Sequence, residues 1–188
     1  NERDGGAFDI YQYSASDYTR SLLYENSESL SLGDISDDGR WVVCTRINSN
    51  ADTDLFLVDL SADTRDLLNI TPHEGNVKHT VMGFTPDNNQ LVYSTNAFGE
   101  FDQAWSLQLD TGERQALITE DWDVVYLRYS PSGRYRVSAL NNDARIDVTL
   151  TDLTTSRDVV LNNVSEGDLA QVRFNREESA IAFGLYRD

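Results

Sequence analysis

"SDDGRWVVCT", residues 36–45, couples a polar Asp-Asp-Gly turn to a run of apolar, β-prone residues, the pattern of a hairpin entering a buried strand. The chain repeats it as "TPDNNQLVYS" at 85–94, "SPSGRYRVSA" at 130–139 and "NREESAIAFG" at 175–184. The residues just before these turns, Ile35, Phe84, Tyr129 and Phe174, stand 49, 45 and 45 residues apart. A fixed period of this length marks one supersecondary unit used over and over.

Other landmarks keep the same beat. "DIYQYS" at 9–14, "DLFLVD" at 54–59, "QAWSLQ" at 103–108 and "DVTLTD" at 147–152 are alternating runs suited to a third strand. Each leads through a polar turn to a fourth, in "SASDYTRSLLY", "SADTRDLLNIT", "LDTGERQALIT" and "LTTSRDVVLNN". No segment has a convincing helical period, so parallel strand-helix-strand units are excluded and the chain reads as all-β. Four short antiparallel strands per repeat define a β-propeller blade, whose sheet packs against neighbours on both faces. That cover predicts buried second strands in "WVVCT", "LVYST" and "AIAFG", which are nearly continuous apolar runs. Asp38-Gly39 and Ser132-Gly133 supply turn residues that tolerate positive φ. Asn88-Asn89 and the glycine-free "NREES" depart from that pattern, which leaves their turn type open.

By strand count, residues 1–188 form a single propeller segment of about four blades' worth, beginning and ending in mid-blade. The expected divisions are a partial blade over 1–29, blades over 30–76, 77–121 and 122–165, and a partial blade over 166–188. The ends could pair into one split blade, the segment could be an arc of a longer ring, or copies could associate through open blade edges. A chain starting at Asn1 rather than Met reads as a processed or excised piece.

Composition narrows the partners. With 32 acidic against 15 basic residues the formal charge is -17, which disfavours nucleic acid and anionic membrane surfaces, since both are bound through Lys and Arg. No apolar run approaches the roughly 18 residues of a membrane span, so a soluble protein is expected, with cytoplasm and periplasm both open. Cys44 lies in an apolar strand and reads as a small core hydrophobe. His73 and His79 flank an inter-blade connection without a pairing motif and read as structural. Asp52 with Asp54 and Asp121 with Asp123 are oxygen-rich pairs of the kind calcium takes, but they lack the D-x-[DN]-x-[DN]-G spacing, so no metal or cofactor is expected. Asn69-Ile70-Thr71 and Asn163-Val164-Ser165 fit the glycosylation pattern, relevant only to a secreted eukaryotic parent. Trp41 and Trp105 sit in strand registers and are expected in the core.

"SDDGRW" and "SPSGRY", each followed by a D-[IL]-[YF]-like strand, resemble the repeats of TolB-like propellers. The longer stretches "NERDGGAFDIYQY", "ITPHEGNVKHTVMGFTPDNNQLVYST", "EDWDVVYLRYSPSGRYRV" and "NNDARIDVTLTDL" resemble the propeller of prolyl oligopeptidase family serine peptidases over essentially the whole chain. This resemblance implies a non-catalytic propeller that gates and positions peptide substrates for a C-terminal α/β-hydrolase domain. The alternative is a freestanding TolB-like module that docks a protein partner. The hydrolase would carry a G-x-S-x-G elbow followed by Asp and His. The nearest approach here, "GDISD" at 33–37, lacks the second glycine, so Ser36 is not expected to be a nucleophile and no catalytic residue is assigned. In such blades the start of the first strand faces an end of the propeller, which makes Trp122, between Asp121 and Asp123, the candidate substrate or partner contact.

Overall fold

In the computed structural model, which describes residues 8–162, 164 and 167–187, the chain forms sixteen β-strands and, among those residues, no helix. A hairpin of β1 (Ile10–Tyr13) and β2 (Arg20–Tyr24) comes first. Three four-stranded sheets follow in chain order: β3 (Ser31–Ile35), β4 (Trp41–Ser49), β5 (Asp52–Asp59) and β6 (Leu68–Asn69); β7 (His79–Phe84), β8 (Gln90–Thr95), β9 (Gln103–Gln108) and β10 (Arg114–Ile118); β11 (Asp123–Tyr129), β12 (Tyr135–Asn142), β13 (Arg145–Asp152) and β14 (Arg157–Asp158). A second hairpin, β15 (Asp168–Phe174) with β16 (Ile181–Tyr186), completes the order. These are meandering antiparallel sheets of the propeller-blade type, with two strands before and two strands after three full blades.

The repeated turn has one atomic design. Its first residue, Ser36, Thr85, Ser130 or Asn175, donates its backbone N–H to the carbonyl five residues on, at Trp41, Gln90, Tyr135 or Ala180. Its side-chain oxygen accepts the N–H of that same residue, at 2.8, 3.0, 3.0 and 2.8 Å. The fourth residue donates back to the carbonyl of the first and has positive φ: Gly39 (73°), Asn88 (58°), Gly133 (78°) and Glu178 (55°). A Ser, Thr or Asn oxygen in the first position therefore specifies the turn, and glycine only makes its left-handed residue cheap. The two irregular sequences adopt the same turn as the regular ones.

The turn also sets the register. Its sixth residue lies opposite the end of the third strand in each full blade, Trp41 with Asp59, Gln90 with Gln108 and Tyr135 with Asp152. Where the fifth residue is arginine, it reaches that strand end: Arg40 to Asp59 at 2.9 Å and Arg134 to Asp152 at 2.8 Å. Each guanidinium also covers the aromatic ring that follows it, at 4.5 Å from Trp41 and 4.8 Å from Tyr135. The Arg40 hydrogen bonds hold the Asp59 carboxyl down at about 2, and Arg134 likewise lowers Asp152.

The chain divides into two compact units, 1–81 and 82–188. In the first, Leu30, Val42, Cys44 and Phe56 are buried together, flanked by Ile10, Leu60 and Leu67. In the second, Val92 and Ala104 of the β7–β10 sheet meet Val124 and Leu127 of β11, and Val137 and Leu150 meet Val172 of β15. Sheets therefore pack face to face in sequence order within that unit. The second strands "WVVCT" and "LVYST" are buried as expected, Val42, Val43 and Leu91 completely. "AIAFG" is not: Ile181 packs toward Val172, while Ala182 is exposed and Phe183 is 37% exposed. The β15–β16 hairpin is covered on one face only, so its apolar run is half-solvated.

Candidate functional site

In an antiparallel meander, the loop between second and third strands and the connection into the next first strand lie at the same end of a sheet, opposite the Asp/Gly turns. Hydrogen bonds stitch these segments together at each junction. Thr53 Oγ1 donates to the His79 carbonyl (2.7 Å), and the His79 N–H returns to Thr53 Oγ1 (2.6 Å). The Asp102 N–H donates to Asp123 Oδ1 (2.8 Å) while the Val124 N–H donates to the Asp102 carbonyl (2.7 Å). The Ile146 N–H reaches Asp168 Oδ1 at 3.4 Å. Near the first hairpin a buried Asn26 plays the related part, donating from Nδ2 to the Phe8 and Leu30 carbonyls and accepting the Leu30 N–H at Oδ1.

The Asp102–Asp123 stitch decides where aromatic rings gather. Phe101 and Trp122, the residues preceding the two bonded aspartates, are brought to 6.0 Å between ring centroids. Three residues before Phe101 in the same loop, Phe98 lies 4.2 Å from Trp105, which β9 contributes. Phe98 is 57% and Trp122 38% exposed. Trp105 is half-buried rather than in the core, and its Nε1–H finds no hydrogen-bond partner among the described residues. Trp41 also departs from a pure core position, lying half-buried beneath Arg40.

The sequence singled out Trp122 as a candidate contact but not Phe98 or Phe101, and it placed Trp105 in the core. Two phenylalanines in a polar loop, "NAFGEFD", were the available signal, because an exposed cluster of large apolar side chains needs a reason.

In the first unit, the corresponding end of the β3–β6 sheet carries a polar network. His73 Nε2 faces Asp52 Oδ1 at 3.0 Å, Nδ1 faces the Thr71 carbonyl at 2.9 Å, and Asp54 lies 3.6 Å from Nδ1. Asn48 Nδ2 bridges Asp52 and Asp54, and Asn69 Nδ2 donates to Asp54. With acceptors at both nitrogens the ring is favoured as the imidazolium. The Thr71 carbonyl raises its pKa, partial burial opposes this, and Asp52 and Asp54 add to the rise. Such a ring is a bridge between loops; neither nitrogen is turned toward a nucleophile. Asp52 and Asp54 are thus engaged by Asn and His donors, Asp123 is engaged by Asp102, and no group of three or more His, Cys, Asp or Glu placed to hold a metal ion occurs among the described residues.

Ser36 is 2% exposed, its Oγ donating to Asp38 and accepting from the Trp41 N–H, so it is a turn residue. Cys44 is 1% exposed, and burial pushes its thiol up to about 11. The Asn69 motif residue donates to Asp54. Of the second glycosylation pattern, Asn163 and Ser165 lie outside the described residues.

The class this architecture defines is the β-propeller. Among solved structures the chain is similar to TolB from Acinetobacter baumannii, with a TM-score of 0.61 and 19% identity over 86% of this chain and 40% of that one. It is also similar to prolyl oligopeptidase B from Galerina marginata, with a TM-score of 0.67 and 12% identity over 96% of this chain and 29% of that one. A structure from a study of two prolyl endopeptidases gives 0.67 and 13% over 92% of this chain and 26% of that one. The chain thus spans less than half the length of each. No family model and no curated protein matches it.

Proposed function

We propose that this chain is the propeller segment of a prolyl oligopeptidase-like serine peptidase, gating and positioning peptides for a hydrolase domain lying outside these residues. The observation that carries the reading is the overlap of 92% and 96% of the chain with two prolyl peptidase structures, each at a TM-score of 0.67. The quoted sequence stretches support it independently. Within the 188 residues there is no G-x-S-x-G elbow, so the part the chain would play is steric: blades narrow the approach, and short or unfolded peptides reach a serine held elsewhere.

The test is to follow the coding frame past Asp188 and express the whole product. The expected product contains a G-x-S-x-G elbow with Asp and His after it, reacts with a serine-directed fluorophosphonate, and cleaves short peptides while sparing folded proteins. Deleting residues 1–188 should remove that size discrimination. A frame without the elbow overturns the reading. The 19% identity to TolB, higher than to either peptidase, then favours a freestanding module that binds a protein partner.

A further inference from the structure

The aromatic end of the β7–β10 sheet, with the start of β11, has an unusual charge setting. The stretches 96–107 and 117–125 contain five carboxylates, Glu100, Asp102, Glu120, Asp121 and Asp123, and no Lys, Arg or His, so that the basic residues at this end of the sheet are Lys78 and His79 at the entry to β7. The stitch between Asp102 and Asp123 fixes Phe101 beside Trp122, and Glu100, Asp102, Asp121 and Asp123 are their immediate neighbours in the chain. Aromatic faces are electronegative and attract cations laid over them. Elsewhere the molecule satisfies this internally, with Arg20 over Tyr11, Arg40 over Trp41, Arg46 over Phe56 and Arg134 over Tyr135. Among the described residues, no guanidinium covers Phe98 or Trp122, although both are exposed.

We infer that this face binds a cationic peptide segment, its Arg or Lys side chains lying on the exposed Phe98 ring and on the exposed Trp122 ring, with Glu100 and Asp121 of the same two loops countering their charge. Charge complementarity selects this occupant over the others. An apolar partner would strip water from carboxylates without pairing them. A second copy would bring another formal -17 against this one. A cationic peptide gains from rings and carboxylates together. The inference concerns binding by this chain alone and stands whether or not a hydrolase accompanies it.

The experiment titrates the 188-residue chain into a fluorescent peptide of alternating Arg and Gly, with an alternating Glu and Gly peptide as control, reading anisotropy. Saturable binding of the Arg peptide alone is expected. The double variant F98A/W122A should weaken it about 10-fold. The pair E100Q/D121N should weaken it roughly threefold and flatten its salt dependence. The mutated side chains are exposed, so an unchanged melting temperature shows that each variant is folded. Equal binding of the Glu peptide, or wild-type affinity in folded F98A/W122A, overturns the inference. So does concentration-dependent self-association that the double variant abolishes, which would assign the face to a second copy. None of these results bears on the peptidase test, whose readout is the serine elbow and its activity.

Discussion

At the scale of single residues, the turn shows how little sequence is needed to specify a blade hairpin and where its cost lies. Four turns share one hydrogen-bond pattern, yet the left-handed position is held by Gly39, Asn88, Gly133 and Glu178. Glycine pays no steric penalty there, and asparagine pays little. Glu178 is poorly suited by backbone preference, but its carboxylate accepts from the Ser132 N–H at 2.5 Å and the Ser132 hydroxyl at 2.7 Å, tying its turn to the preceding one. Conformational cost is offset there by an inter-blade contact. At Gly39, nothing lies within 4 Å of where a Cβ would stand, so Gly39→Ala isolates the backbone term. Gly39→Ala should destabilise the chain by about 1 kcal/mol, measured by urea unfolding with an unchanged m-value. A neutral result would mean that the turn relaxes out of the left-handed region.

At the scale of elements, what matters is how the loops at a sheet end are fastened. At the end of the β3–β6 sheet, the His73 bridge to Asp52 and the Thr71 carbonyl is the fastening whose strength depends on pH. Its folded pKa is raised, by the Thr71 carbonyl first and by Asp52 and Asp54 further. The stabilisation is therefore complete below the ordinary value of 6.5 and is lost as pH rises through the raised folded value. His73→Asn should cost about 1–2 kcal/mol at pH 5.5, in the range of hydrogen bonds to a charged group, and less at pH 9. Melting curves of both proteins at the two pH values give the comparison, and a penalty equal at both would show that the neutral ring does the holding. These fastenings also mark the limit of what the sequence revealed. The period, the all-β class and the strand order were legible because each is written locally, in turn residues and alternating runs. The junctions were not, because each joins a side-chain oxygen, Thr53 Oγ1 or Asp123 Oδ1, to backbone groups of a residue more than twenty positions away, His79 or Asp102, and a backbone partner leaves no mark in the residue types. For the same reason the sequence could flag Trp122 and the phenylalanines of "NAFGEFD" singly but not the pairing of Phe101 with Trp122 or of Phe98 with Trp105. "AIAFG" misled because an apolar run records a strand's composition and cannot report which of its faces is covered.

At the scale of the whole molecule, the governing quantity is charge. A formal -17, with a sequence pI near 4.3, means that at neutral pH the folded chain confines a large excess of carboxylates. Local pairs such as Arg40–Asp59 and Arg134–Asp152 are short-ranged, whereas the excess acts over the distance set by ionic strength, about 30 Å at 0.01 M and about 8 Å at 0.15 M. Raising sodium chloride over that interval should relieve repulsion in the compact state more than it weakens the pairs, since partly exposed ion pairs contribute little. The melting temperature should then rise by about 2–4 °C, equivalent to roughly 1 kcal/mol for a chain of this size. The same salt should weaken binding of the Arg-Gly peptide, because there the carboxylates of the aromatic face attract rather than repel. Opposite signs in the two titrations are the distinguishing result. A melting temperature that falls with salt would place the electrostatic balance in the local pairs, and peptide binding indifferent to salt would leave the aromatic rings as its sole source.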